Sequence, residues 1–234
     1  MLGVRGLHAL YGNIHVLRGV DFDVSGGQIA TILGRNGSGR STTCKAIMGL
    51  LRPARGEVRL HGENLAGRHG HEIARAGIGY VPEERLVFTT LTVEENLILG
   101  VKKPRHGAPT WSIEELYALF PRLKERRHVR AGHLSGGEQQ MLTIFRTLLG
   151  NPCAILIDEP TEGLAPKIVD VVSEAVLEMK RRGLAVVLLE QKLNMALRIT
   201  DSVMVMGHGQ IVFDGTPQAF NENANIRRQW LEVS

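Results

Sequence analysis

The hydrophobic positions of this chain fall into two patterns, which predict two kinds of strand. Residues 4–24 alternate between apolar and polar side chains, a period of two that predicts half-exposed strands with a turn at Tyr11-Gly12. Continuous apolar runs follow at residues 29–33, 154–157 and 184–189. Such runs are typical of strands that are covered on both faces. The pattern therefore predicts an α/β chain.

Glycine and proline bound the remaining predicted elements. Further strands are expected at residues 56–60, 77–82, 202–206 and 210–213. Pro166 suits the first position of a helix over 166–182, and Gly183 is placed to end it. Thr216-Pro217 predicts the start of a short final helix.

The middle of the chain has the pattern of a helical insertion. Three helix starts fit a capping box, in which a hydroxyl side chain and a glutamate three positions later satisfy each other's backbone N–H groups. They are Thr92-x-x-Glu95, Ser112-x-x-Glu115 and Ser135-x-x-Glu138. This segment is either a solvated helical cap or a docking surface.

Composition and charge exclude several classes of protein. The chain has 234 residues, 43% of them hydrophobic, which is enough for a folded core. The net charge of +4 comes from scattered arginines, so it indicates an ordinary solvated surface and no nucleic-acid partner is expected. The apolar runs are too short to cross a bilayer, and no signal peptide is recognised. The pattern predicts a cytoplasmic protein without a structural metal site.

Residues 34–42, with the sequence GRNGSGRST, predict a phosphate-binding loop between a buried strand and a helix. Glycines let the backbone approach a ligand closely, and the N–H groups of the helix start attract phosphates. Ser41 is placed to give its hydroxyl to Mg²⁺. The predicted phosphate contacts are Gly34, Asn36, Gly37, Ser38, Gly39, Arg40, Ser41 and Thr42.

Arg40 departs from this loop pattern, because the motif GxxxxGK[ST] has lysine at this position. An arginine keeps the positive charge, but its planar guanidinium is wider than a lysine ammonium and does not match its geometry. Hydrolysis at this loop is therefore left open by the motif alone.

Asp158 and Glu159 directly follow the buried run at 154–157. Ligands bind at the carboxyl ends of strands in open α/β sheets, so both acids are expected to face the phosphate loop. The first acid suits Mg²⁺, and the second can polarise an attacking water. A charged turn after a strand is the alternative, which the upstream phosphate loop disfavours.

Residues 134–140, with the sequence LSGGEQQ, predict a second anion site. A serine N-cap followed by two glycines leaves several N–H groups bare at a helix start. One nucleotide site does not need a second such feature, so it implies the γ-phosphate of a partner across a dimer interface. A purely structural capping box is the alternative.

These motifs and their order resemble an ABC-transporter ATPase subunit over essentially the whole chain. The sequence segments at residues 77–83, 91–97, 159–166 and 189–191 resemble those of branched-chain amino-acid transporter ATPases of the LivF type. The resemblance implies a P-loop NTPase fold, with a RecA-like mixed sheet core, N-terminal antiparallel strands and an α-helical signature subdomain. It implies one ABC ATPase domain over 1–234, with a core at 1–85 and 151–220, the helical subdomain at 86–150 and a C-terminal tail at 221–234.

The resemblance also implies roles for single residues. Tyr11 matches the aromatic side chain that stacks on adenine, although a lone tyrosine is more often a core residue. Glu83 stands where most members have the Q-loop glutamine, from which a carboxylate can approach Mg²⁺ and respond to the permease. Gln191 replaces the switch histidine and can hydrogen-bond the γ-phosphate without shuttling a proton. The residues implied to complete the partner's ATP site are Ser135, Gly136 and Gly137.

The function implied is an ATP-binding subunit that couples ATP binding and hydrolysis, with Mg²⁺, to amino-acid import through a permease. Its implied partners are a second ABC ATPase subunit (identical or paralogous), the permease and, indirectly, a periplasmic or extracellular substrate-binding protein. It would act at the cytoplasmic face of the membrane. One alternative is a degenerate subunit that hydrolyses little ATP. Another is a nucleic-acid ABC ATPase, which the missing heptad and zinc insertions disfavour.

Overall fold

Ten strands form two sheets in the part of the chain that this computed structural model describes, residues 1–104 and 107–231. The strands are β1 (Leu2–Tyr11), β2 (Ile14–Val24), β3 (Ile29–Leu33), β4 (Arg55–Leu60), β5 (Glu63–Asn64), β6 (Ile78–Val81), β7 (Ala154–Asp158), β8 (Ala185–Glu190), β9 (Ser202–Gly207) and β10 (Gln210–Gly215). One sheet has the order β10-β9-β3-β8-β7-β6 and is parallel except for β10. The other, with the order β2-β1-β4-β5, is antiparallel.

Helices cover the larger sheet and connect its strands. They are α1 (Arg40–Ile47), α2 (Gly70–Ala76), α3 (Val93–Gly100), α4 (Ile113–Leu119), α5 (Pro121–Glu125), α6 (Gly136–Leu148), α7 (Pro166–Arg181), α8 (Leu193–Ile199), α9 (Pro217–Glu222) and α10 (Ala224–Trp230), with a 3₁₀ turn at Ala131–His133. None of the helices in the described ranges has the length and apolar character needed to span a bilayer.

The continuous apolar runs became strands that are buried at every position, as predicted. In β7, Ile155 and Ile157 pack into a core shared with α3, α6 and α7, whereas Ala154 and Leu156 face the antiparallel sheet. Both faces of the strand are thus covered, which explains why the run shows no alternation. β1 and β2 carry the alternating pattern, since one face of their sheet is covered and the other is exposed.

All three predicted capping boxes form. Thr92, Ser112 and Ser135 each accept a hydrogen bond from the backbone N–H three positions later, at 3.2, 3.2 and 3.3 Å. The helices α3 to α6 fall within the segment 86–150, while its treatment as a separate subdomain stays a prediction. Gly183 adopts a φ of 86° just after α7, where only glycine is unstrained.

The predicted final helix forms as α9, with Thr216 as its N-cap, but it is not the last helix. α10 follows within the predicted tail 221–234, of which residues 232–234 lie outside the described part of the chain. The indole of Trp230 on α10 covers Gly207, where an added Cβ would lie 2.3 Å from it without a shift of the ring, and its ring centroid lies 5.2 Å from that of His208. The next residue, Gly209, donates its N–H to the Ser38 carbonyl at 2.9 Å, which links this turn to the predicted phosphate loop.

Candidate functional site

The predicted loop lies between the carboxyl end of β3 and the first turn of α1. Gly37 and Gly39 have φ values of 79° and 111°, a backbone region that suits only glycine. A Cβ at Gly34 would lie 2.7 Å from both Ser38 Oγ and the Met206 carbonyl, so this position also requires glycine. The loop therefore turns tightly and leaves the first N–H groups of α1 without intrahelical partners.

The loop lines an open cleft of about 250 Å³. Residues 35–42 share this cleft with Glu83, Glu159, Glu162 and Gln191. Ser38 Oγ is buried and has no hydrogen-bond partner among the described residues, so a polar atom is available there to a ligand. The cleft thus brings together most of the predicted site.

The side chain of Arg40 is buried and contacts other residues of the protein. The residue is 4% exposed, and its guanidinium forms an ion pair with the Glu159 carboxylate. The other terminal nitrogen donates to the Gly34 carbonyl and, at 3.4 Å, to that of Glu190. Since Gly34 follows β3, Glu159 follows β7 and Glu190 ends β8, one side chain joins the ends of three neighbouring strands.

Both carboxylate oxygens of Glu159, the predicted water-activating residue, accept hydrogen bonds within the protein. It is buried with a φ of 44°, a strained value for a residue with a side chain. Besides Arg40, it accepts hydrogen bonds from Gln191 Nε2 at 2.8 Å to each carboxylate oxygen. Gln191 also donates to Asn36 Oδ1 at 2.8 Å. The predicted catalytic pair, Glu159 and Gln191, is therefore in direct contact.

The predicted metal ligands divide into two groups. Ser41 Oγ donates to Asp158 Oδ1 at 3.2 Å, so a hydroxyl and a carboxylate meet at the start of α1. Burial raises the pKa of Asp158, and the neighbouring charge of Glu159 raises it further. Glu83 lies elsewhere in the cleft, with carboxylate oxygens of Glu83, Glu159 and Glu162 within 4.8 Å of one another. These hard oxygen donors fit Mg²⁺.

Glu190 is a site residue that sequence reasoning missed. Its buried carboxylate accepts hydrogen bonds from Thr161 Oγ1 at 2.7 Å and from the N–H groups of Gln191 and Lys192 at 3.1 and 3.2 Å. Burial raises its pKa. It fixes the turn after β7 to the turn after β8, and hence Glu159 relative to Gln191. Its signal in the sequence is an acid that ends a buried apolar run.

The residues expected to contact the partner's nucleotide do not line the cleft of their own chain. They are Ser135, Gly136 and Gly137. Ser135 caps α6, and the two glycines at 136 and 137 form its first turn. The guanidinium of Arg85 packs against Gly136, and Arg85 Nη2 donates to the Glu162 carbonyl at 3.0 Å. Arg85 was not predicted. It connects the start of α6 to the segment that follows Glu159.

Tyr11 is not a core residue. It lies at the end of β1 with 46% of its surface exposed, which excludes the structural alternative considered for a lone tyrosine. It is also outside the set of residues that line the cleft. Its contact with adenine stays a prediction.

A second, larger groove of about 1090 Å³ lies beside β6, α3 and α6. It has apolar side chains at Met48, Ile78, Tyr80, Phe88 and Leu99, and basic ones at Arg75, Lys102, Lys103 and Arg146. No acidic residue of the described ranges lines it. Phe88 and Leu99 are half exposed, so an apolar surface is offered here.

Comparison with known proteins finds similarity along the full length. Residues 17–162 match the family model described as ABC transporter. The chain is 41% identical, over 99% of each protein, to the high-affinity branched-chain amino acid transport ATP-binding protein BraG of Pseudomonas aeruginosa. It is 33% identical to the probable branched-chain amino acid transport ATP-binding protein LivF of Archaeoglobus fulgidus, over 100% of this chain and 99% of that one.

A solved structure supports the same comparison at the level of the fold. The structure is similar, with a TM-score of 0.81 and 27% identity, to the ADP conformation of an ATP-binding cassette of an ABC transporter. The similarity covers 97% of each chain. The predicted fold class, a P-loop NTPase fold with a mixed sheet, antiparallel strands and a helical signature region, is confirmed.

Proposed function

The chain belongs to the ABC transporter family, and we propose that it is the ATP-binding and ATP-hydrolysing subunit of an amino-acid importer, with branched-chain amino acids as the substrate class. One observation carries the proposal: a phosphate loop lies in a single cleft with Glu159 and Gln191, within a chain 41% identical throughout to a transport subunit. That identity favours transport over the nucleic-acid alternative.

The site residues divide the work on ATP. The backbone N–H groups of the loop and the first turn of α1 bind the phosphates, and the free hydroxyl of Ser38 supports this role. Ser41 and Asp158 would hold Mg²⁺, which neutralises phosphate charge during transfer. Glu159 orients and activates the attacking water, and Gln191 holds Glu159 and donates to the γ-phosphate.

A second ATPase subunit completes the arrangement. ABC ATP-binding subunits of transporters work as dimers with membrane permease subunits. The position of Ser135, Gly136 and Gly137 outside the cleft supports a role at the partner's nucleotide. The partner is a second copy or a paralogue. Tyr11, exposed at the end of β1, would stack on adenine.

The larger groove suits the permease. Its apolar side chains and basic rim would accept a short amphipathic segment of the membrane subunit. Glu83, which lines the cleft, lies in sequence between the groove residues Tyr80 and Phe88. Closure of the dimer on ATP would then move the permease, and hydrolysis would reset it. The subunit would then act at the cytoplasmic face of the membrane, and a substrate-binding protein would act only indirectly.

The degenerate alternative is favoured by one specific contact. Arg40 forms an ion pair with Glu159, so the positive charge expected to bind the phosphates is neutralised by a residue of the protein. A subunit that keeps this pair in every state would bind ATP and hydrolyse little of it.

Mg²⁺-dependent ATP turnover of the purified chain, at a concentration that favours the dimer, tests the proposal. We expect turnover in the native protein and a loss of about a hundredfold or more in Glu159→Gln, with nucleotide still bound. Glu174→Gln, which alters an exposed acid on α7, serves as the control and should keep native turnover. Binding without Glu159-dependent turnover would establish the degenerate alternative.

Transport by intact cells tests the substrate class. Cells that lack this subunit should lose uptake of radiolabelled leucine, isoleucine and valine, and the native gene should restore it. Unchanged uptake of these three, with loss of another amino acid, would reassign the substrate.

A further inference from the structure

The electrostatics of the cleft are unusual because its buried cation faces the catalytic acid. Arg40 and Glu159 are 4% and 8% exposed, and they are 119 positions apart in the chain. Their ion pair is therefore a feature of the folded site, shielded from water, where attraction between charges is strong.

The pair holds Glu159 in a form that does not suit water activation. A general base must point an oxygen lone pair at the attacking water, and Arg40 holds Oε1 of Glu159. Glu159 also receives both hydrogen bonds from Gln191. Oε1 thus accepts two hydrogen bonds from the protein and has no lone pair left for water, whereas Oε2 keeps one.

A bound triphosphate would compete for the same guanidinium. Arginine grips phosphate best through two parallel N–H groups on one edge of its plane. Both such edges include Nη2, the nitrogen that holds Glu159, while Nη1 is engaged with the Gly34 and Glu190 carbonyls. A phosphate bound at Nη2 therefore lies against the Glu159 carboxylate, and repulsion between the two anions favours separation of the carboxylate from Arg40.

We propose that Arg40 is a positioning residue that keeps Glu159 in an ion pair until the γ-phosphate of ATP displaces it, so that the nucleotide itself releases the base. This inference rests on the proposed function of the same cleft. ADP has no γ-phosphate, so the pair re-forms after hydrolysis. The loop arginine thus makes water activation depend on the triphosphate.

A double-mutant cycle on nucleotide affinity tests the displacement without using activity. The variants are native, Arg40→Met, Glu159→Gln and the double variant, each titrated in Mg²⁺ with the β,γ-imido analogue of ATP and with ADP. If binding breaks the pair, Glu159→Gln should increase the affinity for the ATP analogue. This increase should be about tenfold larger when residue 40 is arginine than when it is methionine. The same comparison with ADP should differ by less than about threefold.

Arg35 supplies the matched control. It is exposed, lies in the same loop and lines the same cleft. In an Arg35→Met background, Glu159→Gln should change the affinity for the ATP analogue by the same factor as it does in the otherwise native protein. This control separates displacement of the ion pair from a general loss of positive charge.

Different outcomes would refute this inference and the proposed function on which it rests. An equal effect of Glu159→Gln with and without Arg40, or equal coupling for the analogue and ADP, overturns the displacement and leaves ATP binding intact. Failure of the native protein to bind either nucleotide refutes the proposed function instead. If Arg40→Met does not fold, Arg40→Lys takes its place, since one nitrogen replaces the fork and the coupling must fall by about threefold or more.

Discussion

At the scale of single residues, Arg40 is a structural clamp as well as a candidate ligand. Its bonds reach the ends of β3, β7 and β8, and its charge is neutralised within the protein by Glu159. The folding of this region and its chemistry therefore depend on the same side chain, and substitutions here should be measured for both.

Arg40→Ala should lower the free energy of unfolding by about 3–5 kcal/mol, because it leaves the Glu159 charge buried without its partner. Urea denaturation of the nucleotide-free protein measures this effect. Arg35→Ala, at an exposed position of the same loop, should stay within about 0.5 kcal/mol of native. A similar small change in both variants would contradict the clamp.

Asp158→Asn should stabilise the nucleotide-free protein at neutral pH. Burial raises the folded-state pKa of Asp158 above its ordinary value of 3.8, so the native fold favours the protonated acid and loses stability as pH rises through that pKa. Asparagine has no such loss. Thermal unfolding between about pH 4 and pH 8 should show the advantage of the variant growing with pH; an advantage that shrinks would contradict the assignment.

At the scale of elements, the strands that position the site could be predicted and several helices could not. A buried run such as Ile29–Leu33 carries its own signal, and so do the capping boxes. α2, α8 and α10 have seven residues each, which is too short for a period of 3.6 to stand out.

The side-chain contacts within the site were harder to predict from the sequence than the strands. The motifs placed the loop and Glu159 at one edge of the sheet, yet no local pattern says that Arg40 reaches Glu159 rather than solvent. The hydrogen bond that Glu190 accepts from Thr161 and the one that Arg85 donates to the Glu162 carbonyl likewise join segments that are distant in the chain. Residue types could be predicted, whereas the choice of partner is set by tertiary packing.

Two capping boxes of the same type, at Ser135 and Ser112, can separate the structural role of Ser135 from its proposed role at the partner's nucleotide. Ser135→Ala and Ser112→Ala each remove a hydroxyl that accepts one hydrogen bond and donates another within its box, and each should cost about 1 kcal/mol of stability. Only Ser135→Ala should also lower ATP turnover, since α4 has no proposed ligand. Equal turnover in both variants, measured alongside urea unfolding, would make the Ser135 box purely structural.

At the scale of the whole molecule, nucleotide chemistry and the proposed permease contact lie on different surfaces. The cleft is formed by the loop and the turns after β7 and β8, whereas the larger groove lies beside β6, α3 and α6. Damage to one surface should therefore leave the other function measurable.

Leu99→Glu should abolish amino-acid uptake and leave ATP turnover of the isolated subunit unchanged. Leu99 is 49% exposed and lines the groove, so a carboxylate there disrupts its apolar surface. Its neighbour Ile98 is 57% exposed on the same helix but lies outside the groove, and Ile98→Glu should keep uptake. Equal loss of uptake in both variants would contradict the assigned docking surface.

The packing of Trp230 against Gly207 and His208 gives the protein a built-in optical reporter. The turn beneath this indole is bonded through Gly209 to Ser38, so movement of the phosphate loop changes the surroundings of the fluorophore. The other tryptophan, Trp111, is buried beneath the Arg182 guanidinium at 4.2 Å and belongs to a different region. In a Trp111→Phe background, the emission spectrum of a single unlabelled side chain should follow nucleotide binding in real time.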